Sequence, residues 1–156
     1  MTDQSTQPEA AGGQPSIHCL AQYVKDLSFE NPNAINAVHD EGGAPDVSIN
    51  VQINTAKVQD NVYEVTLSID GKAVRADKHL FLLEMHYAGL FSIENIPPEH
   101  LEPVLFIHCS TLLFPFARQI VADVTRNGGY PPLLLNPVDF NQLYMSQVAA
   151  KQPEAK

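Results

Sequence analysis

Two stretches of strictly alternating side chains limit what this chain can fold into. Between residues 47 and 54, Val and Ile alternate with Ser, Asn and Gln, and residues 63–69 repeat the pattern with Tyr, Val, Leu and Ile. Because successive side chains of a strand point to opposite faces, this period predicts two strands with one apolar face each. Such strands pair in an antiparallel sheet that buries one face and leaves the other toward water.

Two further strands complete the predicted sheet. The first covers residues 17–29, where the odd positions are mostly apolar, and it ends at an Asn-Pro-Asn turn before a loop over residues 34–45. After the alternating stretch at 63–69, a turn at either 70–71 or 75–78 fits the sequence. We prefer the later turn because it gives two long strands of matched length, 62–75 and 78–91.

The last predicted strand is apolar on both faces. Between residues 80 and 91 only Glu84 and His86 interrupt the apolar run. A strand without a polar face is typical of the interior of a sheet, where both faces are covered. We therefore expect this strand to have neighbours on both sides, in the subunit or after assembly.

The second half of the chain reads as helical. A Pro-Pro-Glu start at residues 97–99 opens a helix to about residue 127, where Asn-Gly-Gly stops it. Pro115 must kink or break this helix, because proline removes a backbone hydrogen bond. Either Asn136 or Asp139 is placed to cap a last helix that ends near residue 149.

Strands followed by helices predict an α+β fold, a four-stranded antiparallel sheet with a long kinked helix and a C-terminal helix on one face. The domain is expected at residues 17–147. A polar segment at 1–16 predicts a disordered N-terminal tail, and residues 148–156 a short C-terminal tail. An exposed strand edge and a partly apolar sheet face favour oligomerisation.

The charge and cysteine content narrow the possible functions. A net charge of −9 argues against nucleic acid and anionic membrane surfaces as partners. We find no signal peptide and expect no stretch that approaches the roughly 18 apolar residues of a membrane span. Two cysteines, Cys19 and Cys109, provide no disulfide framework, so a reducing cytoplasmic setting fits best.

No catalytic or metal-binding pattern stands out. His108 and Cys109 are adjacent, but neighbouring helix residues do not face each other. Cys109 is therefore expected in the core, and a hydrolase that acts through Cys109 is the least favoured of the functions considered. The six histidines lack the spacing of a metal site. The two Gly-Gly pairs lack the strand-turn-helix context that phosphate binding requires.

Two surface features remain for binding. Asp26 and Glu30 project from one face of the first strand, and Glu84 interrupts the apolar last strand. They form either an ordinary solvated face or an acidic patch that docks a basic or polar partner. The segment 128–137 is unusually apolar for a loop. Its pattern fits equally well a flap over the core and the wall of a groove for apolar peptide.

Several motifs, in order along residues 17 to about 145, strongly resemble SecB, the bacterial protein-export chaperone family. The motifs that carry the resemblance are YVKDLSFE at 23–30, NPNA at 31–34, VYEV at 62–65, GLFSI at 89–93, LFPFAR at 113–118 and PLLLNPVDF at 132–140.

The resemblance implies a homotetramer, a dimer of dimers, without enzymatic activity, metal or cofactor. Members of the family hold newly made precursor proteins unfolded, without ATP, and pass them to SecA, the motor ATPase of the Sec translocase. The family docks SecA on an acidic sheet face. By motif match that surface comprises Asp26, Glu30, Leu82 and Glu84 here.

The family's peptide grooves lie between the main helix, the crossover loop and the sheet. The crossover loop corresponds to about residues 128–137 here. The client contacts expected from this match are Phe114, Phe116, Tyr130, Leu133 and Leu135. The alternative function is a small-molecule or lipid-binding α+β protein in which the 128–137 loop acts as a lid.

Overall fold

A four-stranded sheet and a long helical segment dominate the computed structural model, which describes residues 12–39 and 42–151. The elements in chain order are β1 (Ser16–Glu30), α1 (Ala34–His39), β2 (Asp46–Gln59), β3 (Val62–Arg75), β4 (Lys78–Glu94), α2 (Pro98–Pro103), a π-helical segment (Val104–Cys109), α3 (Ser110–Asn127) and α4 (Phe140–Lys151). All strand pairs are antiparallel, in the order β1-β4-β3-β2. The predicted α+β fold is confirmed.

The later of the two possible turns joins β3 to β4. Arg75 pairs with Lys78, and the two residues between them, Ala76 and Asp77, have φ angles of 47° and 62°. Two consecutive positive φ angles are typical of the tight turns whose twist matches that of paired strands. The predicted strand bounds of 62–75 and 78–91 are therefore confirmed, with β4 three residues longer than expected.

The doubly apolar strand β4 lies inside the sheet, as predicted. It pairs with β1 on one side and with β3 on the other. Leu83, Met85 and Phe91 are almost fully buried on the face that the helices cover. The two outermost strands, β1 and β2, each have a neighbour on one side only within the subunit.

The helical half packs on one face of the sheet and does not end at Pro115. The buried residues of α3 lie on both sides of this proline and include Leu113, Phe114, Ala117 and Val121. An internal proline costs about 3 kcal/mol, whereas burying each large side chain contributes about 1.5–3 kcal/mol. Of the two outcomes predicted at Pro115, a break does not occur. The departure from α geometry lies earlier, in the π-helical segment that follows Pro103.

Two element boundaries differ from the prediction. Residues 34–39 form α1 rather than part of a loop, and α4 continues to Lys151 rather than ending near residue 149. The helix α1 buries none of its residues, so its local sequence carries no amphipathic pattern that would predict it. The expected N-terminal tail lies outside the described residues up to residue 11, and β1 begins at Ser16.

One helical segment meets the length and hydropathy criteria for a membrane span. Within Pro98–Asn127, an 18-residue window has a mean hydropathy of 1.5, so by length and composition alone it is apolar enough to cross a membrane. In the fold, 44% of this window is buried. The composition reflects the face that packs on the sheet, since a core helix of a globular domain meets the same criteria.

Candidate functional site

The acidic residues predicted from the sequence come together on the sheet face opposite to the helices. In the strand register Glu30 pairs with Leu82, and Ser28 pairs with Glu84. Residues directly opposite each other project to the same side, and so do alternate residues of one strand. Asp26, Glu30, Leu82 and Glu84 therefore share one surface, in which the three carboxylates are exposed and Leu82 is half-buried.

The sequence analysis did not identify one member of this surface. Asp70 pairs directly with Glu84 across β3 and β4, so two carboxylates face each other. Such like-charge pairs destabilise a sheet by up to about 1 kcal/mol. Asp70 directly follows the alternating stretch 63–69, and extending that alternation by one residue would have placed it on this face. We call the surface formed by Asp26, Glu30, Asp70, Leu82 and Glu84 the acidic face.

A depression of about 380 Å³ lies on the acidic face. Glu30, Asp70 and Glu84 line it, together with Leu82 and the cation Lys72. Carboxylates around a half-buried leucine complement a partner surface that carries basic and apolar side chains.

A polar network fixes the side chains further along the same sheet face. The Tyr23 hydroxyl donates a hydrogen bond to Glu64 Oε2, and Lys25 Nζ lies 2.8 Å from Glu64 Oε1. The Lys25 and Tyr23 hydrogen bonds hold the pKa of Glu64 below its usual value. The hydrogen bond to Glu64, assisted by burial, raises the pKa of Tyr23 to about 12. The positive charge of Lys25 is therefore paired with the carboxylate of Glu64.

The apolar loop at 128–137 is fastened to the rest of the fold at several points. Asn31 Nδ2 donates to Gly128 O at 2.8 Å, and the Tyr130 hydroxyl lies 2.6 Å from Asn31 Oδ1. Further along, Leu133 N donates to Thr125 Oγ1 at 2.9 Å. Arg118 Nε donates to Leu135 O at 2.8 Å. These contacts give the loop one defined course across the end of the sheet.

The Gly-Gly pair at the start of the loop has a steric explanation. A Cβ atom on Gly128 would lie 2.6 Å from the Phe29 ring, and Gly129 has a φ of +92°. The close approach and the left-handed backbone each favour glycine. The pair lets the chain turn from α3 onto the aromatic residues at the end of the sheet.

An apolar cavity of about 350 Å³ lies under this loop. Its walls come from the loop, from the start of β2 and from the region around the β3–β4 turn. The lining residues are Pro45, Val47, Arg75, Leu80, Phe81, Tyr130, Pro131, Pro132 and Leu133. We call it the loop cavity. A cavity with apolar walls and one charged side chain has the character of a ligand-binding site.

An aromatic cluster forms the floor of this region. The rings of Phe29 and Phe81 are 5.5 Å apart, and those of Phe81 and Tyr130 are 5.2 Å apart. Together with Leu80 and Leu133 these residues belong to a small cluster beside the main core, and Phe29 and Leu133 pack against both. The sequence pattern does not single out Leu80 and Phe81, because a run that is apolar on both faces does not show which of its residues line a cavity.

The five client contacts expected from the sequence do not form one surface in the subunit. Tyr130 and Leu133 line the loop cavity. Phe114 and Leu135 are buried in the main core, where Phe114 packs edge-on against Phe140. Phe116 is 52% exposed on α3. The loop thus acts both as a flap, through Leu135, and as a cavity wall, through residues 130–133.

Cys109 lies in the core, as predicted. Its side chain is fully buried, and burial raises the pKa of the thiol to about 12. A thiol in this state is a poor nucleophile. Within residues 12–39 and 42–151, no group of three or more His, Cys, Asp or Glu residues is arranged to hold a metal ion.

Comparisons with known proteins agree on the family. The family model described as preprotein translocase subunit SecB matches residues 10–151. A protein-export protein SecB of Afipia carboxidovorans is 48% identical, with 100% of this chain and 99% of that protein covered. A SecB of Agrobacterium fabrum is 49% identical, over 91% of this chain and 89% of that protein.

A solved structure supports the fold. A SecB-like chaperone of Mycobacterium tuberculosis, determined in complex with a ChAD peptide from an antitoxin, superposes with a TM-score of 0.63 at 14% identity. The superposition covers 78% of this chain and 90% of that one. At this identity the likeness concerns the fold alone.

The relatives decide between the two functions that the sequence left open. The predicted role as a protein-export chaperone is confirmed, and the small-molecule or lipid-binding alternative has no support among the matches. Members of this family act as chaperones in protein export. The function of the family, and no other observation, supports a non-enzymatic role. With a match over residues 10–151 and relatives nearly half identical over most of their length, this chain belongs to the SecB family.

Proposed function

We propose that this chain is an ATP-independent holdase that binds unfolded precursor proteins, keeps them export-competent and delivers them to SecA. The observation that carries the proposal is the loop cavity. It offers about 350 Å³ of largely apolar space next to the crossover loop, where family members bind their clients. Unfolded chains expose apolar side chains that folded proteins bury, so such a cavity favours unfolded clients.

The shape of the site suits a binder of many sequences. Phe81, Tyr130 and Leu133 present apolar surface without a fixed pattern of polar partners, so side chains of different shape fit there. The contribution of any one anchor is small, and several sites in an assembly would raise the effective concentration of a bound chain. Because the protein binds the unfolded state, it opposes client folding by mass action.

The client site is tested with Leu133→Glu. We expect this change to reduce the capture of an unfolded client severalfold, because a carboxylate in the loop cavity loses its hydration. The measurement is the refolding rate of an unrelated denatured protein at stoichiometric amounts of chaperone. Leu134→Glu is the matched control, since Leu134 is 58% exposed and does not line the cavity. Equal capture by both variants would place the client site elsewhere.

The expected client residues divide into two groups under this proposal. Tyr130 and Leu133 contact clients in the resting fold. Phe114 and Leu135 would do so only after the loop moves, since both are buried. Phe116 is available on the helix surface, for a client or for another subunit.

The acidic face is the proposed docking site for SecA. Asp26, Glu30, Leu82 and Glu84 match the family's docking positions, and their common exposure on one sheet face supports the assignment. The site lies on the opposite side of the sheet from the helices, so a chain held near the loop and a bound SecA need not compete for the same surface.

A homotetramer, a dimer of dimers in the cytoplasm, is the proposed working form. β1 lacks a neighbour on one side, and three of its apolar side chains remain exposed in the subunit: Leu20 at 55%, Val24 at 44% and Leu27 at 42%. Exposed apolar groups along a free strand edge favour association with another copy. Light scattering should give about four times the 17.1 kDa of one chain. A monomer at micromolar concentration would contradict the assembly.

A further inference from the structure

One charged side chain lies in the wall of the otherwise apolar loop cavity. Arg75, the last residue of β3, lines this cavity and also the shallower depression beside it, which residues 42–46 and 74–77 form. Its Nε atom is buried, and within residues 12–39 and 42–151 it has no hydrogen-bond partner. An arginine is charged at any physiological pH, so this donor is part of a cation.

Arg75 has no countercharge among the described residues. A buried donor that makes no hydrogen bond costs about 1–3 kcal/mol, and more when the group is charged. Asp46 and Asp77 line the neighbouring depression, yet among the described residues no carboxylate lies within 4.0 Å of Arg75. The residue paired with Arg75 across the turn is Lys78, another cation.

The positive charge of Arg75 acts on Tyr130, on the loop side of the cavity. Burial raises the pKa of Tyr130, and the positive charge of Arg75 lowers it in part. The Tyr130 hydroxyl is occupied, since it lies 2.6 Å from Asn31 Oδ1 and 3.0 Å from Leu80 O, both acceptors. The phenol proton therefore belongs to the loop anchor, and the Arg75 guanidinium is the charged donor left to a ligand.

We propose that Arg75 is a specificity-determining residue of the loop cavity, where its guanidinium donates a hydrogen bond to an oxygen acceptor of the bound client segment. The proposal rests on the function proposed for this cavity. The client places an apolar side chain among Phe81, Tyr130 and Leu133, and an oxygen beside that anchor accepts the bond from Arg75.

Two kinds of oxygen atom in an extended peptide can accept the hydrogen bond from Arg75. One is that of the main-chain carbonyl next to the anchor, and the other is that of the carboxylate of an Asp or Glu beside it. A bond from a cation to a carboxylate is about twice as strong as one between neutral groups. In a chain of net charge −9, which repels acidic segments overall, a cation at this point would admit an acidic residue at one place only.

The test compares Arg75→Met with Lys78→Met. Both changes remove one positive charge at the same turn, but Lys78 does not line the loop cavity. The probes are two fluorescein-labelled peptides with the same Phe-Leu anchor, one with Glu and the other with Ala beside it. Affinities come from fluorescence anisotropy with the full-length protein. We expect Arg75→Met to weaken binding of the Glu peptide about fivefold and Lys78→Met to leave it unchanged.

The pattern of losses identifies the oxygen. A loss for the Glu peptide alone assigns the carboxylate, and an equal loss for both peptides assigns the main-chain carbonyl. Unchanged affinity of Arg75→Met for both peptides overturns the proposal, and so does an equal loss in Lys78→Met, which would indicate a general charge effect. Arg75→Lys, which keeps the charge but lacks the guanidinium, serves in the same way if the methionine variant does not fold.

The wild-type protein separates this proposal from the broader one. If the wild type binds neither peptide and does not delay client refolding, the function proposed for the cavity is wrong, and the role of Arg75 falls with it. If the wild type binds both peptides and Arg75→Met binds them equally well, the client site stands and only the role of Arg75 is wrong.

Discussion

Glu64 on β3 accepts hydrogen bonds from two side chains of β1, which reach it across the intervening strand β4. Tyr23 and Lys25 both reach it from β1, and the Glu64 side chain is 19% exposed while that of Lys25 is 43% exposed. Ion pairs of this kind contribute about 0.5–1 kcal/mol, because water screens the exposed partner. The network pairs the charge of Lys25 with Glu64 on the same side of the sheet as the acidic face.

The network predicts a pH dependence of stability. The pKa of Glu64 is lowered from 4.5, so its stabilising contribution is present above that pH and is lost as the pH falls through the lowered pKa. Glu64→Gln should therefore reduce the free energy of unfolding by about 0.5–1 kcal/mol near neutral pH and by less near pH 3. Urea unfolding at both pH values, at one protein concentration, measures the difference.

A control for Glu64 is available in the same sheet. Asp60 pairs with Lys57, but its side chain is 97% exposed, so Asp60→Asn should leave the unfolding midpoint nearly unchanged. A difference between wild type and Glu64→Gln that stays constant as the pH falls would show that the ion pair is not its source.

The two cysteines should differ sharply in reactivity. Cys109 is buried and its pKa is raised to about 12, so very little of its thiol is ionised near pH 8. Cys19 is exposed. We expect iodoacetamide to label Cys19 alone in the native protein and both cysteines in urea, as read by mass spectrometry. Native labelling of Cys109 at the rate of Cys19 would place it outside the core and reopen a nucleophilic role.

At the scale of elements, the start of α4 shows how a local signal leaves two possibilities. Asn136 and Asp139 were both suitable caps, and the structure selects Asp139, whose Oδ1 accepts from Gln142 N at 3.0 Å. Asp139→Ala should lower the free energy of unfolding by about 1 kcal/mol, measured by thermal or urea denaturation.

The rejected cap is the natural control for Asp139. Asn136→Ala should have little effect on stability, since Asn136 is exposed, and Asp139→Asn should retain most of it because asparagine also caps well. If Asn136→Ala and Asp139→Ala proved equally destabilising, the cap assignment would be wrong.

The β3–β4 hairpin shows where an element-level prediction succeeds. Two turn sites were compatible with the residues, and matched strand length favoured the later one. The structure confirms it, with Ala76 and Asp77 at positive φ. Pro115 shows the opposite case. The local rule allowed a break, but the burial of Leu113 and Ala117 on the sheet outweighed it.

At the scale of the whole molecule, the sheet separates two proposed binding functions. The loop cavity lies at the helix-covered side, near the end of the sheet, and the acidic face lies on the other side. Delivery of a client to SecA then requires no overlap between the two partners. The opposed carboxylates Asp70 and Glu84 mark the acidic face as a surface that gains from a basic partner.

This arrangement predicts a selective effect of charge reversal. Asp26→Lys or Glu84→Lys should weaken SecA binding about tenfold or more at low salt and less at high salt, because screening reduces the charge interaction. Client capture and the mass by light scattering should stay unchanged. Calorimetry at two salt concentrations measures the affinity.

Asp60→Lys is the matched control for the acidic face. It makes the same change of charge at a carboxylate that is 97% exposed in the β2–β3 turn. Unaltered SecA affinity in Asp26→Lys and Glu84→Lys would exclude the acidic face as the docking site. An equal loss of SecA affinity in Asp60→Lys would show that the effect arises from the net charge of the protein and not from the acidic face.

The sequence by itself determined the sheet, the β3–β4 hairpin and the common face of Asp26 and Glu30. These follow from a period of two along each strand, which local side-chain order records directly. The motifs also determined the family, since they occur in order over most of the chain.

Only the tertiary structure decided what the apolar loop does and which side chains line its cavity. Leu135 and Phe114 are apolar like Leu133, yet the first two are buried and the third lines the cavity. Arg75 and Phe81 join the site from strands some fifty residues away from the loop in sequence. Burial and proximity depend on contacts between distant segments, and no local pattern along the chain encodes those contacts.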